Sequence, residues 1–328
     1  MRVAPRTLLL ALLAVFVLVA AGCGRESESS NDNGTENAAD TGAEELSGSV
    51  QVDGSSTVGP LTSAAAELYR EVQPGVNVTV GISGTGGGFE RFCRGETDIS
   101  NASRPIDEEE VALCEDAGIE YTELQVAIDA LTVVVNQAND WATCLTVDQL
   151  NAIWEPGSDI NNWSQVPDAD FPDAPMSLAG PGTDSGTFDY FTDEVNGEEG
   201  ASRTDYTPSE DDNVIVQAVT GDEGGLGYFG FTYYEENEDS LKAVEIDGGE
   251  GCVAPSAEAA RSGEYSPLAR PLFIYVKNES LERPEVEDFV RFFLENNDDI
   301  AAAALFIPPS EDQKAEALAT FESATGAR

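Results

Sequence analysis

The chain has 328 residues and sets 62 acidic against 16 basic residues, with no histidine and a formal charge of −46 at neutral pH. No basic footprint for nucleic acid can be drawn on it, and no Ser-His-Asp or Cys-His catalytic centre can be built. With 41% apolar residues it can still form a core, and its length suits two α/β domains.

Taken in chain order, residues 1–22 read as an export signal. Arg2 and Arg6 precede an apolar run from Leu8 to Ala21, which ends in small residues before Cys23. The run is short for a bilayer span, and VAAGC resembles a lipoprotein processing box. Cys23 is thus expected to be the lipidated first residue of the mature chain, held on the extracytoplasmic side of a membrane. Residues 23–46 are polar and acidic and read as a disordered tether. Removing the signal takes away two arginines and no acid. Such an excess of acid, with only three lysines, points to adaptation to concentrated salt.

SGSVQVDGSS alternates like a strand and runs into VGPLTSAAAELYREV, which has helical spacing. VNVTVGIS is a second strand, followed by the loop ISGTGGG and a helix from about Gly88 to Arg94. TDISNAS is a short strand, and PIDEEEVALCEDAG is a helix with acids in its first turns. Strand, polar loop and helix recur three times, which predicts a parallel sheet with every such loop at one edge, where ligands of these sheets bind. VAIDALTVVVN is rich in β-branched residues and long enough to cross between domains. A helix at TVDQLNAIW and a turn-rich excursion follow. MSLAG then leads into PGTDSGTFDYFTDEV, another strand, loop and helix. A helix near DNVIVQAVT, the return GGLGYFG, a strand near LKAVEI and the strand RPLFIYVK come next. PEVEDFVRFFLENN and roughly Ser310 to Ser323 are helices.

Cys93, Cys114, Cys144 and Cys252 are expected to form two disulfides, as an even count in an exported chain favours. Three pairings are open. Local closure favours Cys93 with Cys114 and Cys144 with Cys252. No metal or cofactor is expected, and no large homomeric contact is legible, so a monomer is expected.

DGSSTVGP, ISGTGGG and GTDSGTF share one chemistry: glycine with serine or threonine just before a helix. Glycine admits close backbone approach, hydroxyls donate, and a helix N-terminus offers unpaired N–H groups, so an oxyanion is the natural guest. Arg104 ends a short strand at the same edge, and its planar fork suits two oxygens at once. The alternative for Arg104 is a surface salt bridge to Asp107, Glu108 or Glu109. Ser103 beside it is a further donor. Asp184-Ser185-Gly186 lacks the second carboxylate triplet that shared-proton hydrolysis needs, so no enzymatic activity is expected.

The segments DGSSTVGPL, ISGTGGGFERFCRGETDISNASRPI, GTDSGT, GGLGYFGFTYY and YSPLARPLFIYVKNES resemble the PstS family, the phosphate-binding lipoproteins of ABC importers, and the resemblance runs from about Ser47 to the C-terminus. It implies a class II periplasmic binding protein-like α/β fold. Lobe 1 would hold residues 47–128 plus 266–328 and lobe 2 residues 129–265, with two crossover strands and a ligand cleft between the lobes. It further implies inorganic phosphate as ligand and an ABC permease and ATPase complex as partners. Carried over by position, the contacts are Ser56, Thr57 and the Val58 N–H, then Ser83 and Thr85, then Ser185, Gly186 and Thr187. The chain departs from the best-known members twice. They have an aspartate, acceptor of the hydrogen-phosphate proton, where Arg104 stands, and an arginine where Pro181 stands. Asp98 and Asp184 are the candidate replacements as proton acceptor. Sulfate or another tetrahedral oxyanion is an alternative guest, and an envelope adhesion or scaffold role for the same fold is a second alternative.

Overall fold

A computed structural model describes residues 45–326. The export signal, Cys23 and the tether up to residue 44 lie outside the described residues. Leu46, read above as the end of the tether, belongs to the folded domain. Its N–H donates to Gln73 Oε1 at 3.0 Å, and its side chain packs on the first core.

The first half-lobe runs β1 (Gly48–Gly54), α1 (Val58–Val72), β2 (Val76–Val80), α2 (Thr85–Cys93), β3 (Ile99–Ala102) and α3 (Glu108–Ala117), and leads into the long strand β4 (Tyr121–Asn136). The second lobe holds β5 (Cys144–Thr146), α4 (Val147–Trp154), β6 (Ser177–Pro181), α5 (Gly186–Asn196), β7 (Thr207–Ser209) and α6 (Asp212–Thr220). It continues with β8 (Gly225–Gly230), α7 (Phe231–Asn237), β9 (Leu241–Ala243), β10 (Glu245–Asp247), β11 (Cys252–Val253) and α8 (Ala257–Ser262). The chain then returns through β12 (Ala269–Lys277) to α9 (Pro284–Glu295), α10 (Asn297–Ala303) and α11 (Glu311–Thr325).

The main sheet has the order β2-β1-β3-β12-β4-β8-β6-β7, with β9 also on β4. β1 pairs with β2 and β3 in parallel, and β6 with β7 and β8 in parallel. Between these blocks β12 and β4 run antiparallel to their neighbours. The three strands of the repeated strand-loop-helix pattern are parallel, as that pattern predicts, and the sheet as a whole is mixed because the two crossing strands are inserted at its centre. β4 pairs with β12 through Ala130 and with β8 from Leu131 onward, so one strand serves both lobes.

Two large cores flank that junction. One is built around Val50, Leu61, Tyr69, Leu124, Ile274, Phe289 and Phe293, the other around Leu131, Trp154, Trp163, Phe191, Tyr228 and Leu268. The helices follow the local rules. α1 buries Val58, Leu61, Thr62, Ala65 and Tyr69 on one face, and α9 buries Val286, Phe289, Val290, Phe293 and Leu294 behind a first-turn proline. α3 opens on a capping box between Asp107 and Glu110 and stops at Gly118 in the left-handed region. The disulfides are Cys93–Cys114, tying α2 to α3, and Cys144–Cys252, tying β5 to β11.

α2 differs from its sequence reading in a way that matters for the site. It starts at Thr85, three residues before Gly88, so the glycine run is the first turn of a helix and not a loop. Glycine propensity argues against helix there, but packing overrides it. A Cβ on Gly88 would stand 2.5 Å from the Gly54 Cα, so the helix sits directly on the end of β1. LKAVEI is likewise two strands, because the chain leaves β4 at Val244 to join β5.

Candidate functional site

β1, β2 and β3 end at one sheet edge, and the loops that follow them form one wall of a cleft of about 530 Å³. That wall is Ser55, Ser56 and Thr57, then residues 83–87, then Ser103 and Arg104. The opposite wall comes from α5 and the loop behind it, and Arg270 and Pro271 of β12 line the cleft between them.

Gly84, with φ of 78°, is the N-cap of α2 and has no side chain to satisfy the helix's first N–H groups. The chain turns there as an L-residue rarely can, and the N–H groups of the first turn are left for a guest. Thr85 Oγ1 lies 3.1 Å from Ser103 Oγ and accepts from the Ser103 N–H at 3.3 Å, which joins the second and third loops. Ser83 lines the cleft, but its hydroxyl donates to Asp53 at 2.8 Å. In the first loop Ser55 takes the capping role, since its Oγ accepts from the N–H groups of Thr57 and Val58. The Val58 N–H is therefore already engaged, and Val58 does not line the cleft.

From the second lobe, Ser185 caps α5 by accepting from the Thr187 N–H at 3.2 Å. A Cβ on Gly186 would lie 3.1 Å from Thr57 Oγ1, so this loop touches the first loop directly. Thr187 lines a smaller cavity of about 180 Å³ beside the cleft, together with Asp129.

Arg104 lines the cleft and is held from behind. Glu110 takes Nη1 and Nη2 at 2.7 Å each, Asp107 lies at 3.5 Å, and the Phe89 ring centroid is 5.8 Å from the guanidinium carbon. The hydrogen bonds to Glu110 raise the guanidinium pKa further, against burial. Glu110 is also the capping-box acid of α3, so helix capping and arginine orientation share one side chain.

Neither candidate proton acceptor reaches the cleft. Asp98 precedes β3, at the far edge of the sheet, and is consumed there by Ser280 Oγ at 2.8 Å, Arg283 Nη1 at 2.9 Å and the Gln51 N–H at 2.9 Å. Asp184 is exposed, and its N–H faces Glu210 at 3.4 Å.

Sequence reading missed Arg270 and the acidic wall. The Arg270 guanidinium stacks on Tyr190 of α5 at 3.6 Å, donates to Thr57 Oγ1 at 3.0 Å and reaches Asp129 Oδ2 at 3.3 Å. It thus touches both lobes from the strand that joins them. Nothing in RPLFIYVK marks its arginine, since only the crossing of β12 over β4 aims it at the first loop. Asp189, Asp193, Glu194 and Glu199 face it across the cleft. Burial lifts the pKa of Asp189 and Glu194; Glu199 reinforces the first and Asp193 the second, while Arg270 opposes both. The spacing of Asp189 and Asp193 is a legible helix-face signal. Nothing in the sequence says that this face meets the anion loops.

A site of this kind supplies fixed N–H dipoles, hydroxyls and two guanidinium groups, and offers no activated nucleophile. Comparison with known proteins places it in context. Residues 37–297 match the PBP superfamily domain. The chain is 48% identical to Protein SphX of Synechocystis, over 82% of this chain and 80% of that protein. It is 38% identical to the phosphate-binding protein PstS of Staphylococcus haemolyticus, over 81% of this chain and 83% of that one. The crystal structure of a possible phosphate binding protein from Planctomyces limnophilus superposes with a TM-score of 0.81 at 47% identity, covering 85% of this chain and 99% of that one. Fold, loop chemistry and these similarities agree, and the chain belongs to the PstS family of the PBP superfamily.

Proposed function

We propose that this protein binds inorganic phosphate outside the cytoplasmic membrane and hands it, chemically unchanged, to an ABC-type importer. Lipidation at Cys23 and residues 24–44 as a tether would keep it beside the permease and ATPase of that system. The guest sits in the cleft against the first turn of α2, with Ser56, Thr57, Ser83, Thr85 and Ser103 on one side and α5 on the other, and the Ser185–Thr187 loop would reach it only as the lobes close further. Arg104 and Arg270 supply the positive charge.

The observation that carries this reading is the uncapped N-terminus of α2 opening into the same cleft as both guanidinium groups. Charge-assisted hydrogen bonds act at contact distance and are strong, whereas the field of the distant surface acids is screened within a few ångströms in concentrated salt. Local donors therefore outweigh the distant surface charge, and of the four carboxylates that line the cleft itself, burial favours the neutral form of Asp189 and Glu194 while Arg270 offsets their charge. Titration calorimetry with phosphate and molybdate in concentrated KCl tests it. Phosphate should bind one to one; absence of heat with phosphate would overturn the assignment.

A further inference from the structure

Helix α3 docks on the molecule without an apolar face of its own. A helix of 10 residues is marginal in water by itself, and a surface helix ordinarily holds on through an apolar stripe. Within α3 only Cys114 is buried, and Leu113 stands 39% exposed. Ile106 and Ile119 pack on the small core beneath, but both lie outside the helix. Cys114 is bonded to Cys93, the last residue of α2, and both are fully buried in that core beside Phe89, Phe92 and Tyr275. The crosslink thus takes the place that an apolar stripe would fill.

What α3 carries is the grip on Arg104. Glu110 accepts from both terminal nitrogens at 2.7 Å, and Cys93 Sγ lies 3.6 Å from the Glu110 carbonyl oxygen. Glu110 Oε1 also stands 3.8 Å from where a Cβ on Gly86 would be, so this carboxylate abuts the first turn of α2. One end of α2 is therefore the open N-terminus at the cleft, and its other end is tied to the helix that holds Arg104.

On the reading that the guest is phosphate, we propose that the Cys93–Cys114 disulfide is a positioning element of the anion site. It fixes α3 against α2 and, through Glu110, keeps the Arg104 guanidinium at a set place beside the α2 N-terminus. Donors held in advance lose less freedom when the guest arrives than donors on a loose helix. The second disulfide ties β5 to β11, neither of its cysteines lines the cleft, and it has no such part.

The test is calorimetry with inorganic phosphate on the full mature chain, at a temperature where thermal melts show every variant folded. The variants are Cys93→Ala with Cys114→Ala, Cys144→Ala with Cys252→Ala, Arg104→Ala, and the first pair combined with Arg104→Ala. Losing Cys93–Cys114 should weaken phosphate about three- to tenfold, up to the whole contribution of Arg104. Losing Cys144–Cys252 should lower the melting temperature and leave affinity unchanged. In Arg104→Ala protein, removing Cys93–Cys114 should weaken phosphate no further, because two changes on one route do not add. Wild-type affinity without Cys93–Cys114, an equal loss without Cys144–Cys252, or the same loss in Arg104→Ala protein would each overturn the proposal. If the first pair does not fold, Glu110→Asp decides with both disulfides intact. It keeps the charge and withdraws the carboxylate by one methylene, so phosphate should weaken about threefold or more only where Arg104 is present. Unchanged affinity in that variant would overturn the proposal too. Wild-type protein that binds no phosphate would instead refute the functional reading beneath it.

Discussion

Gly186 and Thr57 meet across the two lobes: a methyl group on Gly186 would lie 3.1 Å from Thr57 Oγ1, which itself is fixed by Arg270 at 3.0 Å. Thr57 has little room to retreat without losing that hydrogen bond. Gly186→Ala should therefore hold the lobes slightly apart, at a cost of about 1 kcal/mol or more, and weaken phosphate binding about fivefold or more. Calorimetry checks this, and unaltered affinity would mean that the contact yields freely.

Arg104 faces the cleft but leans on Glu110 at 2.7 Å through both terminal nitrogens. A half-exposed guanidinium shared with a carboxylate contributes less than an isolated buried one. Arg104→Ala should lower phosphate affinity about tenfold, near the low end for charge-assisted hydrogen bonds. No change on substitution would reduce Arg104 to an anchor for α3.

Asp212, in the first turn of α6, is pushed up to about 6 by burial, with Asp211 and Glu210 adding to it. The folded state binds this proton more tightly than the unfolded chain, whose carboxylate titrates near about 4. The resulting stability is present below about pH 4 and is lost as pH rises through about 6. Asp212→Asn should thus melt a few degrees higher than the wild type at about pH 7.5, with the gap closing toward about pH 4.5. A gap independent of pH in thermal melts would point to packing instead of charge.

Acid excess on this scale makes stability a function of salt. Raising KCl from about 0.1 M to about 1 M shortens the Debye length from about 10 Å to about 3 Å and removes most repulsion between surface carboxylates. The melting temperature should rise by several degrees. A flat or falling curve would show that repulsion between surface carboxylates does not limit the stability of this fold at low salt.

Most elements were legible because their signals are local. The face of α1 from Val58 to Tyr69, the capping acids of α3, the first-turn proline of α9 and the glycine-hydroxyl loops each need only neighbours in sequence. Short helices such as α7, α8 and α10 carry too few turns to show a period, and they exist because the lobes around them do. The sheet's central antiparallel insertion was illegible for a similar reason: a strand's sequence tells which residues are buried, not which strand lies beside it.

By itself the sequence determined that the chain presents several anion-ready turns at one sheet edge and no catalytic centre. Only the tertiary structure decided which charges surround them. It brought Arg270 to Thr57 across 213 residues, set Asp129 behind it and turned the acids of α5 toward the same space. Periodicity records the one-sided burial of a segment, whereas convergence of charged tips depends on where distant strands cross, and no local pattern encodes that crossing.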